Sequence, residues 1–213
     1  MQEVIKIYSK AHPNIQLKAI PGHFVTPNSH VNYFLDMTTL KARLSEASMV
    51  ARELGRQVMI STVVDTIVCI DGCEIIGAFL AEELTRAGIY SRNAHKTIYI
   101  ITPEYSTSGQ MMFRDIYLPM VKDKNVLLLL ASATTGKTVS KAIQTLTYYG
   151  ASISGISAVF SAANSIVGIP VNSLFTTADI PDYTTYSSEK CTMCKEKKPI
   201  DAFANAFGYS KIS

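Results

Sequence analysis

The sequence contains no long hydrophobic run and little excess charge of either sign. The longest apolar stretches, such as residues 126–131, are far shorter than the roughly 18 residues that a membrane-spanning helix requires. Twenty lysines and arginines against seventeen acids leave a net charge of +3, which does not indicate a nucleic-acid partner without a clustered basic face. We therefore expect neither a membrane nor a nucleic acid among its partners.

The sequence is also poor in cysteine, and its first residues do not resemble a secretory signal. Four cysteines in 213 residues do not provide a disulfide framework, so reduced thiols are expected. The start, Met1-Gln2-Glu3-Val4, has no basic segment followed by an apolar one. A cytoplasmic protein is therefore predicted.

What the composition does provide is material for a packed core. Hydrophobic residues make up 47% of the chain and charged residues 17%, which disfavours disorder. At roughly 150 residues per domain, the chain fits one domain with an appendage better than two. We expect a single domain over residues 1–213, in which 1–35 and 179–213 form small cap, or hood, elements.

Between these ends, apolar segments of strand length alternate with segments of helical periodicity. This alternation predicts an α/β fold with a central parallel sheet flanked by helices. The predicted strands lack period-two polarity, as expected for strands buried on both faces, and they are 66–70, 97–101, 125–130, 152–160 and 171–175. The predicted helices are 37–57, 74–87, 137–149 and a short one at 161–167. Residues 1–35 are predicted to be irregular or short antiparallel structure.

The third predicted strand runs directly into a turn of small residues and then a helix. Such a turn points several backbone N–H groups at one spot, with the positive end of the helix dipole behind them, and a phosphate dianion is the expected occupant. An ordinary threonine-capped turn is the simpler alternative. The predicted phosphate-binding residues are Ser132, Ala133, Thr134, Thr135, Gly136, Lys137 and Thr138.

A nucleoside-triphosphate P-loop is one interpretation of this segment. Residues 131–138 match Gly-x4-Gly-Lys-[Ser/Thr] with alanine in place of the first glycine. That loop normally follows the first strand, and a later strand should end in a magnesium-holding aspartate. The two later predicted strands contain no acid. A P-loop phosphotransferase is therefore the less favoured alternative.

The same segment resembles the type I phosphoribosyltransferases, whose signature ends in Thr-Thr-Gly-x-Thr. More particularly, the chain resembles the orotate phosphoribosyltransferases. Residues 21–36, from Pro-Gly-His-Phe to Tyr-Phe-Leu-Asp, resemble their N-terminal segment, and residues 67–78 resemble the strand and loop that contact pyrophosphate. Residues 191–200 are similar to the Cys-Pro-Leu-Cys tail of some members. The resemblance covers most of the chain in order.

The resemblance implies a ligand and a reaction. The loop at 132–138 would hold the 5′-phosphate of phosphoribosyl pyrophosphate or of a ribose 5-phosphate ligand, and the phosphoribosyl group would be transferred to a pyrimidine-like base. It also implies Mg²⁺ and a homodimer. Asp71, Gly72, Cys73 and Glu74 would form the pyrophosphate loop, with Asp71 and Glu74 as magnesium ligands. Alternatively, Asp71 caps a helix and Glu74 complements its dipole.

The sequence departs from the family pattern at three charged features, one of which is Pro27, about where a substrate-contacting lysine would be expected. Leu130 and Ala131 stand where the family has two acids that bind the ribose hydroxyls. Hydrogen bonds to charged groups contribute about 1.5–3 kcal/mol each, so this change implies a loss of about 3–6 kcal/mol. The stretch 100–114, where the family has a basic catalytic loop, contains no lysine or histidine before Arg114. A catalytically inactive phosphoribosyl-binding or sensor relative is therefore the alternative function.

The spacing of Cys191 and Cys194 allows both sulfurs to bind one zinc ion, but a closed structural site needs four ligands. Cys69 and Cys73, or a second subunit, could supply the rest. Reduced cysteines without metal are the default expectation.

The histidines carry weaker signals. His23 and His30 are interpreted as packing or hydrogen-bonding residues of the cap rather than as catalytic bases. His95 and Lys96 are interpreted as a solvated surface pair, with a phosphate contact from a neighbouring subunit as the alternative.

Overall fold

The computed structural model describes residues 3–86, 88–94 and 97–212. Its strands are β1 (Ile5–Tyr8), β2 (Gln16–Val25), β3 (His30–Asp36), β4 (Thr66–Cys69), β5 (Tyr99–Ile101), β6 (Glu104–Tyr105), β7 (Met111–Met112), β8 (Asn125–Ala133), β9 (Ser152–Ser161), β10 (Ser165–Ile166), β11 (Ile169–Thr176), β12 (Thr185–Tyr186), β13 (Ala202–Asn205) and β14 (Gly208–Lys211). Its α-helices are α1 (Thr38–Ala42), α2 (Leu44–Val58), α3 (Glu74–Arg86), α4 (Lys137–Tyr148) and α5 (Thr192–Lys195). Single 3₁₀ turns lie at Gly88–Tyr90, Asp115–Met120 and Ser188–Lys190.

The central sheet has the strand order β10-β11-β9-β8-β4-β5. Its pairings from β11 to β5 are all parallel, and the five predicted strands all lie in it, so the predicted parallel sheet is confirmed. Leu127 and Leu129 of β8 pack on one face, while Leu128 and Leu130 pack on the other. Burial on both faces explains why these strands show no polar alternation.

Helices cover both faces of the central sheet. The face that carries Leu127 packs against the apolar sides of α2 and α3, and the opposite face packs against α4. The predicted helix at 37–57 is two helices, because Arg43 adopts an extended conformation between α1 and α2. In the described part of the chain, no helix is both long enough and apolar enough to span a bilayer.

The helix predicted at 161–167 is wrong, since this segment forms a β-hairpin. Strand β10 pairs antiparallel with β11, and the connecting residues Val167 and Gly168 have φ values of 51° and 77°. Two successive positive φ values are typical of a tight hairpin turn and do not occur in a right-handed helix. The short apolar run that suggested a helix instead places Ile166 in the core.

The two ends of the chain combine in a second sheet, which we call the hood. Its strand order is β12-β3-β2-β13-β14, and β1 pairs with the same strand, β2. The N-terminal strands are antiparallel, as predicted, although β2 is ten residues long rather than short. The tail enters as β13, which pairs parallel to β2. A small core beneath the hood contains Phe24, Val31, Ala202 and Ala204.

Candidate functional site

A cleft of about 570 Å³ lies between the carboxyl ends of the central strands and the hood. Its floor is formed by residues 71–72 after β4 with 74–75 at the start of α3, and by residues 131–139, which comprise the end of β8, the turn after it and the start of α4. Hood residues 26–28 and 204–208 form the opposite wall. Because open α/β sheets bind ligands at the carboxyl ends of their strands, the fold makes this cleft the candidate site. The two loops predicted from the sequence are therefore neighbours.

The loop after β8 ends at Gly136, which precedes the first residue of α4. Gly136 has a φ of 71°, and an added Cβ would lie 3.3 Å from Ile166 Cγ1. Glycine is required here both for the left-handed backbone and for the close approach of Ile166. The carbonyl oxygen of Gly136 accepts hydrogen bonds from the N–H and the hydroxyl of Ser140, at 2.8 and 2.9 Å. The N–H groups of residues 137–139, in the first turn of α4, have no acceptor within the helix. They lie at the end of α4 that borders the cleft.

The hood contacts this loop through Asn28. Its side-chain Nδ2 donates to Thr138 Oγ1 at 3.2 Å, so the Thr138 hydroxyl keeps its own proton for another acceptor. The turn that carries Asn28 is fixed by the N–H of Thr26, which donates to the carbonyl of Ser29 at 2.8 Å. Sequence reasoning missed Asn28, because it lies 110 positions from Thr138 and no local pattern links them.

The loop after β4 is held by Lys41, a second residue that sequence reasoning missed. The Lys41 ammonium donates to the carbonyl oxygens of Asp71 and Ala206, each at 2.8 Å. It therefore joins the floor of the cleft to the hood turn above it. Burial raises the pKa of Asp71, and the Lys41 charge partly opposes that rise. In the sequence, Lys41 resembles an ordinary charged residue on the outer side of a helix.

The remaining predicted residues of this loop have separate environments. Glu74 is exposed in the first turn of α3, and its Oε1 accepts from Thr102 Oγ1 at 3.0 Å. The Cys73 side chain is fully buried in the core rather than in the cleft, and burial raises its pKa well above the usual range. Only the main chain of Cys73 can therefore contact a ligand in the cleft.

The structure also shows what replaces two of the three charged features of the family pattern. The Leu130 side chain lies in the core, whereas Ala131 lines the cleft. Among the described residues that line the cleft, Asp71 and Glu74 are the acids, so β8 presents no carboxylate there. In the stretch 100–114, β6 and β7 form a short hairpin, and Arg114 pairs with Glu104 at 2.6 Å. The Arg114 guanidinium therefore already has an acidic partner at the protein surface.

A separate cluster lies in the hood, where His23 and His30 meet Cys191 and Cys194. Cys69 and Cys73, the other candidate metal ligands, both lie in the core of the central sheet and not in this cluster. His23 and His30, interpreted as packing or hydrogen-bonding residues of the cap, are buried and hydrogen-bonded, and they also lie beside the cysteine pair. His95 and Lys96 lie outside the described residues.

Comparisons with known proteins match the fold rather than the sequence. No family model and no curated protein matches the chain. The orotate phosphoribosyltransferase of Mycobacterium tuberculosis H37Rv, in complex with Fe(III) dicitrate, matches 76% of this chain and 91% of its own, at 14% identity and a TM-score of 0.52. The adenine phosphoribosyltransferase of Thermoanaerobacter pseudethanolicus matches 81% and 95%, at 13% identity and 0.50. The chain has the type I phosphoribosyltransferase fold.

Two further solved structures have this type I phosphoribosyltransferase fold. The orotate phosphoribosyltransferase of Aeropyrum pernix matches 75% of this chain and 88% of its own, at 19% identity and a TM-score of 0.50. The UMP synthase of Leishmania donovani matches 70% of this chain at 15% identity and a TM-score of 0.52, and this chain spans 31% of that longer protein. The predicted fold class, with its central parallel sheet and hood, is confirmed.

Proposed function

We propose that the chain binds a phosphorylated ribose ligand, phosphoribosyl pyrophosphate or ribose 5-phosphate, with the 5′-phosphate on residues 132–138. The observation that carries this proposal is the cleft at the carboxyl ends of β4 and β8, into which the first turn of α4 opens. Backbone N–H groups and the helix dipole favour a dianion there. Lys137 adds an exposed ammonium, and Thr138 adds a hydroxyl held by Asn28.

We further propose transfer of the phosphoribosyl group to a nitrogenous, pyrimidine-like base. In this reaction the base nitrogen forms a bond to the anomeric carbon and gives up its proton to water, while the bond to pyrophosphate breaks and pyrophosphate leaves with the electron pair. Charge on the leaving pyrophosphate must be stabilised. Among the described residues that line the cleft, Lys41 and Lys137 are the cations that can contribute.

Mg²⁺ is proposed as the cofactor of this reaction. Magnesium is usually bound by one or two carboxylates together with substrate phosphates. Asp71 and Glu74 both line the cleft and fit this pattern, although Lys41 already lies beside Asp71. A magnesium ion there would therefore depend on the ligand's own oxygens. When bound, it would neutralise charge on pyrophosphate.

Calorimetry with phosphoribosyl pyrophosphate and with ribose 5-phosphate, each with Mg²⁺, tests binding. The variant Lys137→Ala should weaken binding about tenfold, since a hydrogen bond to a charged group contributes about 1.5 kcal/mol or more. Lys141→Ala, one turn further along α4 and also exposed, is the matched control and should bind as the wild type does. Absence of binding by both ligands contradicts the proposal.

Transfer is tested separately, by screening nucleobases with phosphoribosyl pyrophosphate and measuring release of pyrophosphate. Release that requires one base supports the transferase. Binding without release for every base contradicts the transfer step while leaving the ligand site standing, and ATP hydrolysis would favour the P-loop alternative.

A homodimer is also proposed, on the resemblance to the family. Large apolar side chains at Ile89 and Tyr90 are exposed and could be covered by a second copy. Light scattering should give twice the 23.3 kDa mass of the chain, and a monomeric mass at micromolar concentration would contradict the proposal.

A further inference from the structure

We propose that the hood binds one structural zinc ion through His23, His30, Cys191 and Cys194. The atoms that would bind the ion are His23 Nε2, His30 Nδ1 and the two Sγ atoms, and all four lie within 4.8 Å of one another. Zinc prefers tetrahedral sites made of thiolate sulfur and imidazole nitrogen. The set is complete within one chain, so no second subunit is needed. This inference does not depend on the proposed function.

Four of the six distances between these atoms are close to the edges of a zinc tetrahedron. Zinc–nitrogen bonds of about 2.0–2.1 Å and zinc–sulfur bonds of about 2.3 Å give edges of about 3.3 Å between nitrogens and about 3.6 Å between nitrogen and sulfur. The His23 and His30 nitrogens are 3.0 Å apart. Their distances to sulfur are 3.6 Å from His23 to each cysteine and 3.4 Å from His30 to Cys194.

Hydrogen bonding alone does not account for this arrangement. Three groups approach the single atom His23 Nε2, namely His30 Nδ1 and the sulfurs of Cys191 and Cys194. A neutral imidazole nitrogen without hydrogen has one lone pair and accepts one linear hydrogen bond. Three neighbours at these distances instead indicate a common point between them, which is where a metal ion would lie.

The other nitrogen of His23 is positioned as in established zinc sites. His23 Nδ1 lies 3.2 Å from the carbonyl oxygen of Lys198. Because a carbonyl can only accept, Nδ1 carries the proton, and the lone pair of Nε2 is left for the ion. Such a backbone or carboxylate contact to the outer nitrogen is usual for histidines that bind metal, and it fixes the orientation of the ring.

The tail also holds the main chain of His23 through two hydrogen bonds. The N–H of His23 donates to Asp201 Oδ2 at 2.7 Å, and the N–H of Asp201 donates to the carbonyl oxygen of His23 at 2.9 Å. His23, His30 and Cys191 are buried, whereas Cys194 lies at the surface and would provide the route of entry for the ion. Four protein ligands leave no open position, which is typical of structural rather than catalytic zinc.

The ion would connect the two ends of the chain within the hood. It would tie residues 191–194 of the tail to β2 and β3, and β13 begins at Ala202, eight residues after Cys194. The turn after β13 lines the cleft and contains Ala206, whose carbonyl accepts from Lys41. We therefore expect the ion to order the hood wall of the site.

Metal analysis of the wild-type protein, purified with reductant and without chelator, is the first test. One zinc per chain is expected. After removal of zinc, titration with Co²⁺ should give the absorption bands of a tetrahedral thiolate-bound cobalt ion at one equivalent. Removal should also increase hydrogen exchange in residues 198–211, and return of zinc should reverse that change.

Substitutions identify the ligands. Cys194→Ser and His30→Ala should each lower zinc affinity by at least about 100-fold, since changes outside the ligand set already cost about 10–100-fold. The matched controls are Cys69→Ala and His12→Ala, which lie outside the cluster and should keep one zinc per chain.

Several outcomes would overturn the proposal. They are a reduced wild-type protein that takes up neither Zn²⁺ nor Co²⁺, a Cys191–Cys194 disulfide formed in the presence of zinc, or unchanged affinity in both ligand variants. If a variant fails to fold, the cobalt spectrum of the wild-type protein decides whether the metal site exists, and absence of the tetrahedral thiolate bands overturns the proposal.

Discussion

The central sheet is built from one continuous stretch, residues 66–176, whereas the hood joins residues 5–36 to residues 185–211. The central sheet is buried on both faces by helices, of which α3 and α4 follow its strands in sequence and α2 precedes them. The hood has a small core of its own with four buried residues, while Ile7, Leu17 and Ala19 of β1 and β2 pack into the core shared with α2 and α3. The hood must also bring the chain ends together. A small core supplies little stability, so such a region needs additional links. The His/Cys cluster, Lys41 and Asn28 are such links, and so is Ser9, whose hydroxyl donates to the carbonyl oxygen of Leu174 in β11 at 2.6 Å.

The largest effect is expected in the central sheet. Leu128 is fully buried in β8, and Leu128→Ala should lower the free energy of unfolding by about 2–5 kcal/mol, measured by urea denaturation. Leu128→Met conserves volume and should cost less than about 1.5 kcal/mol. Because both faces of the sheet depend on β8, one transition is expected. Two separate transitions would show that the hood folds independently of the central sheet.

A second comparison isolates the close packing at the phosphate loop. Gly136 and Gly168 have similar positive φ values, but an added Cβ at Gly168 meets nothing within 4 Å, whereas at Gly136 it meets Ile166. Alanine should therefore cost about 1–3 kcal/mol of backbone strain at either position. At Gly136 we expect roughly 1 kcal/mol or more in addition, from overpacking. Equal unfolding free energies for the two variants would argue against that contact.

The link between the two regions is tested by Lys41→Met. The variant loses the hydrogen bonds to Asp71 and Ala206, and an ammonium contact of this kind contributes about 1.5–3 kcal/mol. Hydrogen exchange should increase in the hood turn at 205–208. Arg52→Met, which breaks an exposed ion pair with Glu83, is the control and should cost about 0–1 kcal/mol. Equal hydrogen exchange at 205–208 in the two variants would contradict the role of Lys41 in joining the hood to the floor of the cleft.

The smallest effect is expected for Asp71→Asn, a change that keeps the size of the side chain and tolerates the positive φ at this position. Because burial raises the folded-state pKa of Asp71, the folded state holds its proton more tightly, and stability falls as pH rises from the unfolded pKa to the folded one. The variant should therefore be slightly more stable than the wild type at neutral pH. This gain should disappear in acid, where the wild-type carboxyl is protonated, and urea denaturation at several pH values measures it.

Several errors of prediction share one cause: the local pattern of apolar residues does not determine the backbone dihedral angles. The run at 161–167 is apolar and short, and such a run is equally compatible with a buried helix turn and with a strand. The positive φ values at Val167 and Gly168 decide for a hairpin. In the same way, a regular helical pattern at 37–57 conceals the break at Arg43.

The residues that sequence reasoning missed at the site are those that act across the cleft. Lys41 and Asn28 are ordinary polar residues in their own segments, and their roles arise from partners 165 and 110 positions away. Cys73 was grouped with the cleft loop because of its neighbours, yet its side chain points into the core. Side-chain direction at a turn depends on backbone dihedrals that the sequence does not display.

The sequence by itself determined the parallel central sheet, the position of the loop at 132–138 and its glycine, because doubly buried strands and a strand–turn–helix junction leave continuous local signals. Only the tertiary structure decided that the chain ends form one hood, that Lys41 bridges it to the floor of the cleft and that His23 and His30 meet Cys191 and Cys194. Those contacts join segments that are far apart in the chain, so they depend on how the sheets pack rather than on any pattern within a segment.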